Sequence, residues 1–486
     1  MSRLLDDAQV YQEEHAGLVP DSQRPAFHVS APVGWINDPN GWSVYKGEYH
    51  LFFQYHPYDT HWGPMHWGHV ITKDFVKWER LPVALAPDME YDAQGCFSGS
   101  AVEHEGRHIL LYTGVCEKTV NGRKEMIQAQ CVATGDGVVY TKADKNPVIT
   151  PQMLPEGCNI HDFRDPKIWR KDGVYYALIG SKNQKNDGQV VIFRSEDLRQ
   201  WSYVSSLDRS EKKYGGMWEC PDLFELDGKD VLIISPQFME ADGLEFHNGN
   251  GTLCIIGRID EQYRMCRETL QAVDYGLDFY APQTLKTADG RRVMIAWMQS
   301  WDNHITPEQF AWSGVMCFPR VLTLADGRLC QYPVREIEAY RRNRFVKSLT
   351  ITEGETCSDL ISGRQIDLIL KLTWTDCSRF EISLACGRNK YTKVVYEPEK
   401  SLITFDRTHA GFHRDVICTR TMKVSPFHQN MEIRILMDKY TVELFADGGR
   451  YAMSSLIYTD LSCEGICFSA DGESCFTVEK YDMEIS

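Results

Sequence analysis

The segment KGEYHLFFQY (Lys46 to Tyr55) joins a polar turn that contains a glycine to a run of apolar residues. Four further segments repeat this pattern: EGRHILLYTG (Glu105 to Gly114), KDGVYYALIG (Lys171 to Gly180), DGKDVLIISP (Asp227 to Pro236) and DGRRVMIAWM (Asp289 to Met298). Their turn glycines, which lie 55 to 67 residues apart, are Gly47, Gly106, Gly173, Gly228 and Gly290. A period of this length accommodates four short strands with their turns, and the repeats predict a β-rich chain.

A second repeat supports this interpretation. The pattern Asp-apolar-x-x-Trp occurs at Asp74–Trp78 and at Asp197–Trp201, with the tryptophans 123 residues apart, which is two periods. Repeated units of four antiparallel strands are typical of β-propeller blades. We therefore expect an all-β fold in which a five-bladed β-propeller occupies residues 25–332.

The sequence changes character after Tyr332. Residues 333–345 predict a short helical linker with Val334, Ile337 and Tyr340 on one side. Alternating segments such as DLILKLTW and TVELFADGG predict a C-terminal β-sandwich over residues 346–486, and residues 1–24 form an N-terminal extension.

Composition excludes several classes of function. Lys and Arg number 52 against 68 Asp and Glu, a formal charge of −16, so a polyanionic partner such as nucleic acid is repelled. No apolar run reaches the roughly 18 residues of a membrane span, and the N-terminus lacks the apolar run of a signal peptide. The sixteen cysteines show no CxxC pair and no framework spacing, which favours reduced thiols and a cytoplasmic location.

Acidic residues recur at equivalent places in three of the repeats. Asp38, Asp165 and Glu219 lie eight or nine residues before the turn glycine, in what would be the innermost strand of a blade. Equivalent positions of innermost strands surround the propeller axis, so we expect these carboxylates to meet in one pocket. The alternative is that each acid only caps a turn beside a proline. Clustered carboxylates repel one another, and three matched positions therefore favour a functional site.

Two carboxylates among aromatic residues fit glycoside hydrolysis, which needs an acid for the leaving oxygen and an anion for the oxocarbenium-like centre. The aromatic candidates for the pocket are Trp35, Trp62, Trp67, Phe97, Trp218 and Tyr280. Arg164 should favour the ionised form of Asp165, and Trp218 should place Glu219 in apolar surroundings.

Three blocks resemble the signatures of glycoside hydrolase family 32, which includes invertases, fructan hydrolases and sucrose-6-phosphate hydrolases. They are GWINDPNG (Gly34 to Gly41), FRDP (Phe163 to Pro166) and ECPD (Glu219 to Asp222). The resemblance implies a five-bladed propeller joined to a β-sandwich and a retaining double displacement. It assigns Asp38 as the nucleophile, Glu219 as the acid and base, and Asp165 as a stabiliser of the transition state.

The resemblance also implies a set of sugar-binding residues: Asn37, Gln54, Trp62, Phe97, Ser98, Arg164, Tyr280 and Trp297. It implies neither a metal nor a cofactor. Histidines 50, 56, 61, 66 and 69 show no ligand motif, so we interpret them as packing or substrate contacts.

The predicted function is hydrolysis of sucrose or sucrose 6-phosphate by a cytoplasmic β-fructofuranosidase. Hydrolysis of fructo-oligosaccharides or fructans and fructosyl transfer are alternatives within the family. A non-catalytic sugar-binding propeller is the alternative of another class, and its mark would be loss of a carboxylate, whereas all three are present. The expected partner is a small saccharide, without nucleic acid or membrane, and self-association is left open.

Overall fold

The computed structural model describes residues 2–120, 122–303, 305–412, 416–426 and 430–485, and these are almost entirely β. The exceptions are one α-helix and three short 3₁₀ helices: α1 Arg3–Ala16, Asp21–Gln23, Pro151–Met153 and Arg335–Tyr340. The all-β class is confirmed. Helix α1 lies in the N-terminal extension, for which no element was predicted.

Five consecutive antiparallel sheets, which we call the first unit, have four strands each apart from one added strand. Their strands are β1 Gly34–Tyr45, β2 Glu48–His56, β3 His66–Thr72, β4 Glu79–Arg80; β5 Gly95–His104, β6 Arg107–Val120, β7 Arg123–Gly135, β8 Tyr140–Lys142; β9 Cys158–Lys171, β10 Val174–Asn183, β11 Gly188–Ser195, β12 Ser202–Arg209; β13 Met217–Leu226, β14 Lys229–Gln237, β15 Leu253–Ile259, β16 Met265–Ala272; and β17 Tyr280–Lys286, β18 Arg292–Trp297, β20 Arg320–Ala325, β21 Arg328–Pro333. The added strand, β19 Trp312–Ser313, pairs in parallel with β1.

The glycine turns connect the first and second strands of each sheet. In the first four sheets a residue at positive φ precedes the glycine, as in Asp172 (φ 50°) and Gly173 (φ 84°). Two successive positive φ angles define a type I′ turn, whose twist matches that of the flanking strands. This geometry is why these four repeats carry a glycine at the second turn position, and Gly290 of the fifth repeat also has a positive φ, of 88°.

The Asp-apolar-x-x-Trp repeats connect third and fourth strands in two different sheets. Asp74 accepts hydrogen bonds from the backbone N–H groups of Val76 and Lys77 at 3.0 and 2.8 Å. Asp197 accepts the same pair of bonds from Arg199 and Gln200 at 2.9 and 2.8 Å. The repeated sequence therefore encodes the same turn at equivalent positions.

The first strands of the five sheets contact one another in a closed cycle. Strand β1 contacts β5, β5 contacts β9, β9 contacts β13, β13 contacts β17, and β17 returns to β1. Residues at the same level of these strands consequently lie around one centre, which positions the site described below.

The second unit consists of two six-stranded sheets. The first contains β22 Arg341–Ile351, β24 Gln365–Thr375, β29 Met431–Asp438, β30 Thr441–Ala446, β31 Tyr451–Leu456 and β33 Ser474–Met483. The second contains β23 Gly354–Ser362, β25 Phe380–Gly387, β26 Lys390–Glu397, β27 Leu402–Asp406, β28 Thr419–Lys423 and β32 Gly465–Ala470. Leu368 and Leu370 of one sheet share a core with Ile382 and Phe468 of the other.

The segment predicted as a helical linker, 333–345, is helical over only part of its length. A 3₁₀ helix covers Arg335–Tyr340, and strand β22 already begins at Arg341. Val334 and Ile337 are buried in an apolar cluster that contains residues of both units, which accounts for the apolar side of the segment. The strand begins early because Arg341 and Arg342 pair with Met483 and Asp482 of β33.

The expectation that all cysteines are reduced is corrected at one pair. Cys357 and Cys467 form a disulfide between the neighbouring strands β23 and β32, and the other fourteen cysteines are free. The pair is separated by 110 residues, so only the strand register brings it together. No helix in the described ranges has the length and apolar character that crossing a bilayer requires.

A buried histidine connects the two units. His28 Nδ1 lies 3.0 Å from Asp438 Oδ2 and its Nε2 lies 2.8 Å from Glu443 Oε1, with all three side chains inaccessible to solvent. Burial lowers the pKa of His28, but the hydrogen bonds to both carboxylates outweigh this effect and raise the pKa to about 9. Arg320 of the first unit also donates to Glu443. The imidazolium is therefore one part of a charged contact between the units.

We expect this contact to weaken in alkali. His28 has a pKa near 6.5 when unfolded and about 9 when folded, so its stabilisation is complete below pH 6.5 and is lost as the pH rises through 9. One pKa unit corresponds to about 1.36 kcal/mol, which puts the contribution on the order of 3 kcal/mol. The urea concentration at the midpoint of unfolding should fall between pH 6.5 and pH 9.5, and this fall should be larger for the wild type than for His28→Gln. Equal falls in the two proteins would show that His28 does not carry the effect.

Candidate active site

The carboxylates Asp38 on β1, Asp165 on β9 and Glu219 on β13 line one cavity of about 350 Å³. Each carboxylate is almost inaccessible to solvent. The structure thus brings together three acids that are distant in sequence and equivalent in their sheets.

Irregular pairing near this level of each first strand directs side chains into the cavity. The pairing register shifts between Ile36 and Pro39 in β1, and between Glu219 and Asp222 in β13. The other first strands, β5, β9 and β17, show corresponding shifts. Proline follows Asp38, Asp165, Cys220 and Ala281, and a residue without an N–H group cannot donate to the ladder. Such bulges are common beside active sites because they redirect side chains.

Asp38 receives three hydrogen bonds. The Ser98 hydroxyl donates to Oδ2 at 2.7 Å, the Cys220 thiol donates to the same oxygen at 3.3 Å, and Asn37 Nδ2 donates to Oδ1 at 3.1 Å. Trp35 Nε1 donates to Asn37 Oδ1 at 2.8 Å and so fixes the amide. Burial and the charge of Glu219 raise the pKa of Asp38, while the three donors act in the opposite direction.

Glu219 is held by a cation and a phenol. Arg164 donates to Oε1 through Nε at 2.9 Å, and Tyr280 donates to Oε2 at 2.7 Å. Arg164 also donates to Asp162 Oδ1 at 2.9 Å, whereas its Nε lies 3.9 Å from Asp165 Oδ2. Arg164 therefore forms hydrogen bonds with Glu219 and Asp162, whereas Asp165, its neighbour in sequence, lies farther from the guanidinium.

The environment of Asp165 differs from expectation. Burial raises the pKa of Asp165 to about 7; Arg164 acts against this rise, but the charges of Glu219 and Asp38 add to it. As expected, Arg164 lowers the pKa of Asp165. Burial and the neighbouring carboxylates raise this pKa by more, so the net shift is upward. The backbone N–H of Cys220 donates to Asp165 Oδ2 at 3.1 Å.

The expectation for Trp218 is wrong. Its indole lies in the hydrophobic core, where its Nε1 donates to the carbonyl of Tyr214 at 2.7 Å. Adjacent residues of a strand point to opposite faces, so Trp218 points away from the side of β13 that carries Glu219.

Six of the predicted sugar-binding residues line the cavity: Asn37, Gln54, Trp62, Phe97, Ser98 and Arg164. Tyr280 contacts Glu219 instead of lining the cavity. Trp297 does not line the cavity either, and it packs against Trp35 and Trp301 with ring centroids 5.9 and 5.1 Å apart. Trp67 lies in a different apolar cluster.

Four lining residues were not predicted: Gln128, Asp162, Gln237 and Trp301. Asp162 directly precedes the block FRDP, and Trp301 lies three residues after the repeat DGRRVMIAWM, so proximity in sequence was an available signal. Gln128 on β7 and Gln237 at the end of β14 carry no comparable signal, because neither lies on a first strand.

Three of the five histidines, His50, His66 and His69, are buried at packing positions on β2 and β3, whereas His56 is half-buried and His61 is exposed. His50 Nδ1 lies 3.0 Å from His69 Nε2, His66 Nδ1 lies 3.0 Å from the Pro64 carbonyl, and His56 Nδ1 lies 3.0 Å from the His61 carbonyl. That the site needs no metal or cofactor stays a prediction.

Comparison with known proteins extends the resemblance to nearly the whole chain. The sequence pattern described as the glycosyl hydrolases family 32 N-terminal domain matches residues 28–333, and that of the family's C-terminal domain matches residues 336–484. A sucrose-6-phosphate hydrolase from Zymomonas mobilis is 35% identical over 477 residues, covering 94% of this chain and 92% of that protein. A raffinose invertase from Escherichia coli is 34% identical over 493 residues, covering 98% of each.

Solved structures agree with the sequence matches. The Bombyx mori GH32 beta-fructofuranosidase superposes with a TM-score of 0.86 at 33% identity, covering 99% of this chain and 98% of that one. The sucrose-6-phosphate hydrolase from Lactobacillus gasseri superposes with a TM-score of 0.84 at 27% identity, covering 99% and 96%. The two family patterns together match most of the sequence, and the chain therefore belongs to glycoside hydrolase family 32.

Proposed function

We propose that the protein is a retaining β-fructofuranosidase that hydrolyses sucrose or sucrose 6-phosphate and releases fructose. The main support for the proposal is that Asp38 and Glu219 line the same cavity and have different hydrogen-bond partners. Two carboxylates with different environments are what a double displacement requires.

Asp38 is the proposed nucleophile. Its carboxylate would attack the anomeric carbon of the fructosyl unit and form a covalent fructosyl-enzyme. Donors from Ser98, Asn37 and Cys220 stabilise the anion and hold it in one orientation. Attack by a preoriented carboxylate avoids the entropic cost of an intermolecular encounter.

Glu219 is the proposed acid and base. As the acid it would protonate the leaving glycosidic oxygen, and as the base it would take a proton from the incoming water. Arg164 and Tyr280 fix its two oxygens, so the same group is in place for both steps.

Asp165 is proposed to bind fructose hydroxyls without forming a covalent bond. Its carboxylate would accept hydrogen bonds from these hydroxyls, and such bonds strengthen as positive charge develops on the sugar. The cavity aromatics Trp62 and Phe97, whose rings meet edge to face at 5.9 Å, offer apolar surface to sugar C–H groups.

The names of the relatives support the substrate class. The Zymomonas and Bacillus subtilis proteins are named sucrose-6-phosphate hydrolases, and a mutant of the Bombyx mori enzyme was solved in complex with sucrose. A Bacillus subtilis levanase is 32% identical over 500 residues, so hydrolysis of a fructan stays an alternative activity.

We also propose the architecture of the family for this chain. The closed cycle of first strands supports a five-bladed β-propeller over residues 25–332, and the shared core of the two six-stranded sheets supports a β-sandwich over 346–486. The fourteen free cysteines support a cytoplasmic location, and the Cys357–Cys467 disulfide counts against it. The charge of −16 supports the absence of a nucleic-acid partner.

Hydrolysis of sucrose in water labelled with ¹⁸O tests the proposal. Attack at the fructosyl carbon should place the label in fructose and none in glucose. In added methanol the initial product should be the β-methyl fructofuranoside, because a double displacement retains configuration. Label in glucose would indicate cleavage on the glucosyl side, and the absence of released fructose would reject the proposal.

A further inference from the structure

The charges that line the cavity bear on which of the two sugars it accepts. Four carboxylates line it, Asp38, Asp162, Asp165 and Glu219, against a single lining guanidinium from Arg164. A sucrose 6-phosphate molecule would add a phosphate of nearly two negative charges on its glucosyl part. Binding of this phosphate would require a cation at the cavity that is free to contact it.

The cations at the cavity already have carboxylate partners. Arg164 lies 2.9 Å from both Asp162 and Glu219, and Lys182 lies 3.0 Å from Asp162. In the described part of the chain, each cation that lines the cavity or pairs with a lining residue already forms an ion pair with a carboxylate. Phosphate sites instead offer cationic donors that are free to form charge-assisted hydrogen bonds.

Asp162 stands at the outer end of the cavity. Its side chain is 24% exposed, compared with 6% for Asp165 and 12% for Glu219. It shares the Arg164 guanidinium with Glu219, the proposed acid, and therefore lies near the place where the leaving sugar would take up its proton. Burial raises the pKa of Asp162, but Arg164 and Lys182 outweigh this and lower it, which keeps the group anionic at neutral pH.

We propose that Asp162 makes the leaving-sugar end of the cavity reject phosphate, so that the enzyme acts on sucrose in preference to sucrose 6-phosphate. This inference rests on the proposed function and narrows its substrate. A carboxylate beside an incoming phosphate opposes binding by like-charge repulsion, and it also occupies the Lys182 ammonium that would otherwise receive the phosphate.

The test compares kcat/KM for sucrose and sucrose 6-phosphate at neutral pH. The wild type should favour sucrose by about tenfold or more, and Asp162→Asn should reduce that ratio by about fivefold or more, because Lys182 becomes free. Adding Lys182→Gln to Asp162→Asn should remove the gain. Asp326→Asn, which makes the same change at an exposed residue paired with Arg450, should leave the ratio unaltered.

The outcomes separate this inference from the proposed function. Fructose released equally well from both sugars would overturn the inference and leave the function standing, whereas release from neither would overturn the function. A preference for sucrose that Asp162→Asn does not alter would remove Asp162 as its cause. If Asp162→Asn fails to fold, the wild-type ratio is measured at rising ionic strength: salt screens repulsion of the phosphate, so the preference for sucrose should shrink, whereas a preference that salt does not alter would overturn the inference.

Discussion

Asp38→Asn should lower kcat for sucrose by about ten-thousand-fold or more, as expected when the nucleophile of a covalent mechanism is removed. An amide cannot supply the electron pair that forms the fructosyl-enzyme, and the barrier therefore rises. The amide oxygen can still accept the hydrogen bond from Ser98, so the change is nearly isosteric and the fold should persist. Steady-state kinetics combined with circular dichroism would measure both effects.

The matched control for this prediction is Asp74→Asn. Asp74 lies in the same sheet, but its carboxylate caps the turn between β3 and β4 and lies outside the cavity. Asparagine tolerates such a turn, and kcat should stay close to that of the wild type. Turnover of Asp38→Asn near the wild-type rate would exclude Asp38 as the nucleophile.

The parts of the fold that the sequence predicts are those governed by local backbone geometry. Gly173 follows a residue at positive φ in a two-residue turn, and only a few residue types fit there, so the turn is visible in the sequence. Asp38 and Glu219 were predictable because the repeat places them at equal distances from such turns. The family resemblance added roles that spacing alone does not supply.

The features that were not predicted depend on contacts between distant segments. Cys357 and Cys467 meet through strand register, and Gln237 enters the cavity from a second strand, so neither has a local pattern. Trp297 looks like a sugar-binding residue in sequence but is buried behind Trp301. Asp162 precedes a signature block, yet its importance depends on Arg164 and Lys182, which come together only in the folded protein.

The second large effect is expected from Glu219→Gln, and it should depend on the leaving group. With sucrose, kcat/KM should fall by about a thousand-fold or more, because the departing sugar oxygen needs a proton that glutamine cannot give. With an activated aryl β-fructofuranoside the leaving group departs without a proton, and kcat/KM should fall far less. The fructosyl-enzyme should then accumulate, since the variant also lacks the base that activates water, and the aryl alcohol should appear as a burst.

Tyr280→Phe distinguishes loss of the acid from loss of its positioning. The phenol donates to Glu219 Oε2 at 2.7 Å, and without it the carboxyl group is present but less firmly held. The variant should therefore lose activity to a similar, smaller extent on both substrates and should show no burst. Equal losses for Glu219→Gln on sucrose and on the aryl fructoside would mean that the leaving oxygen takes its proton elsewhere.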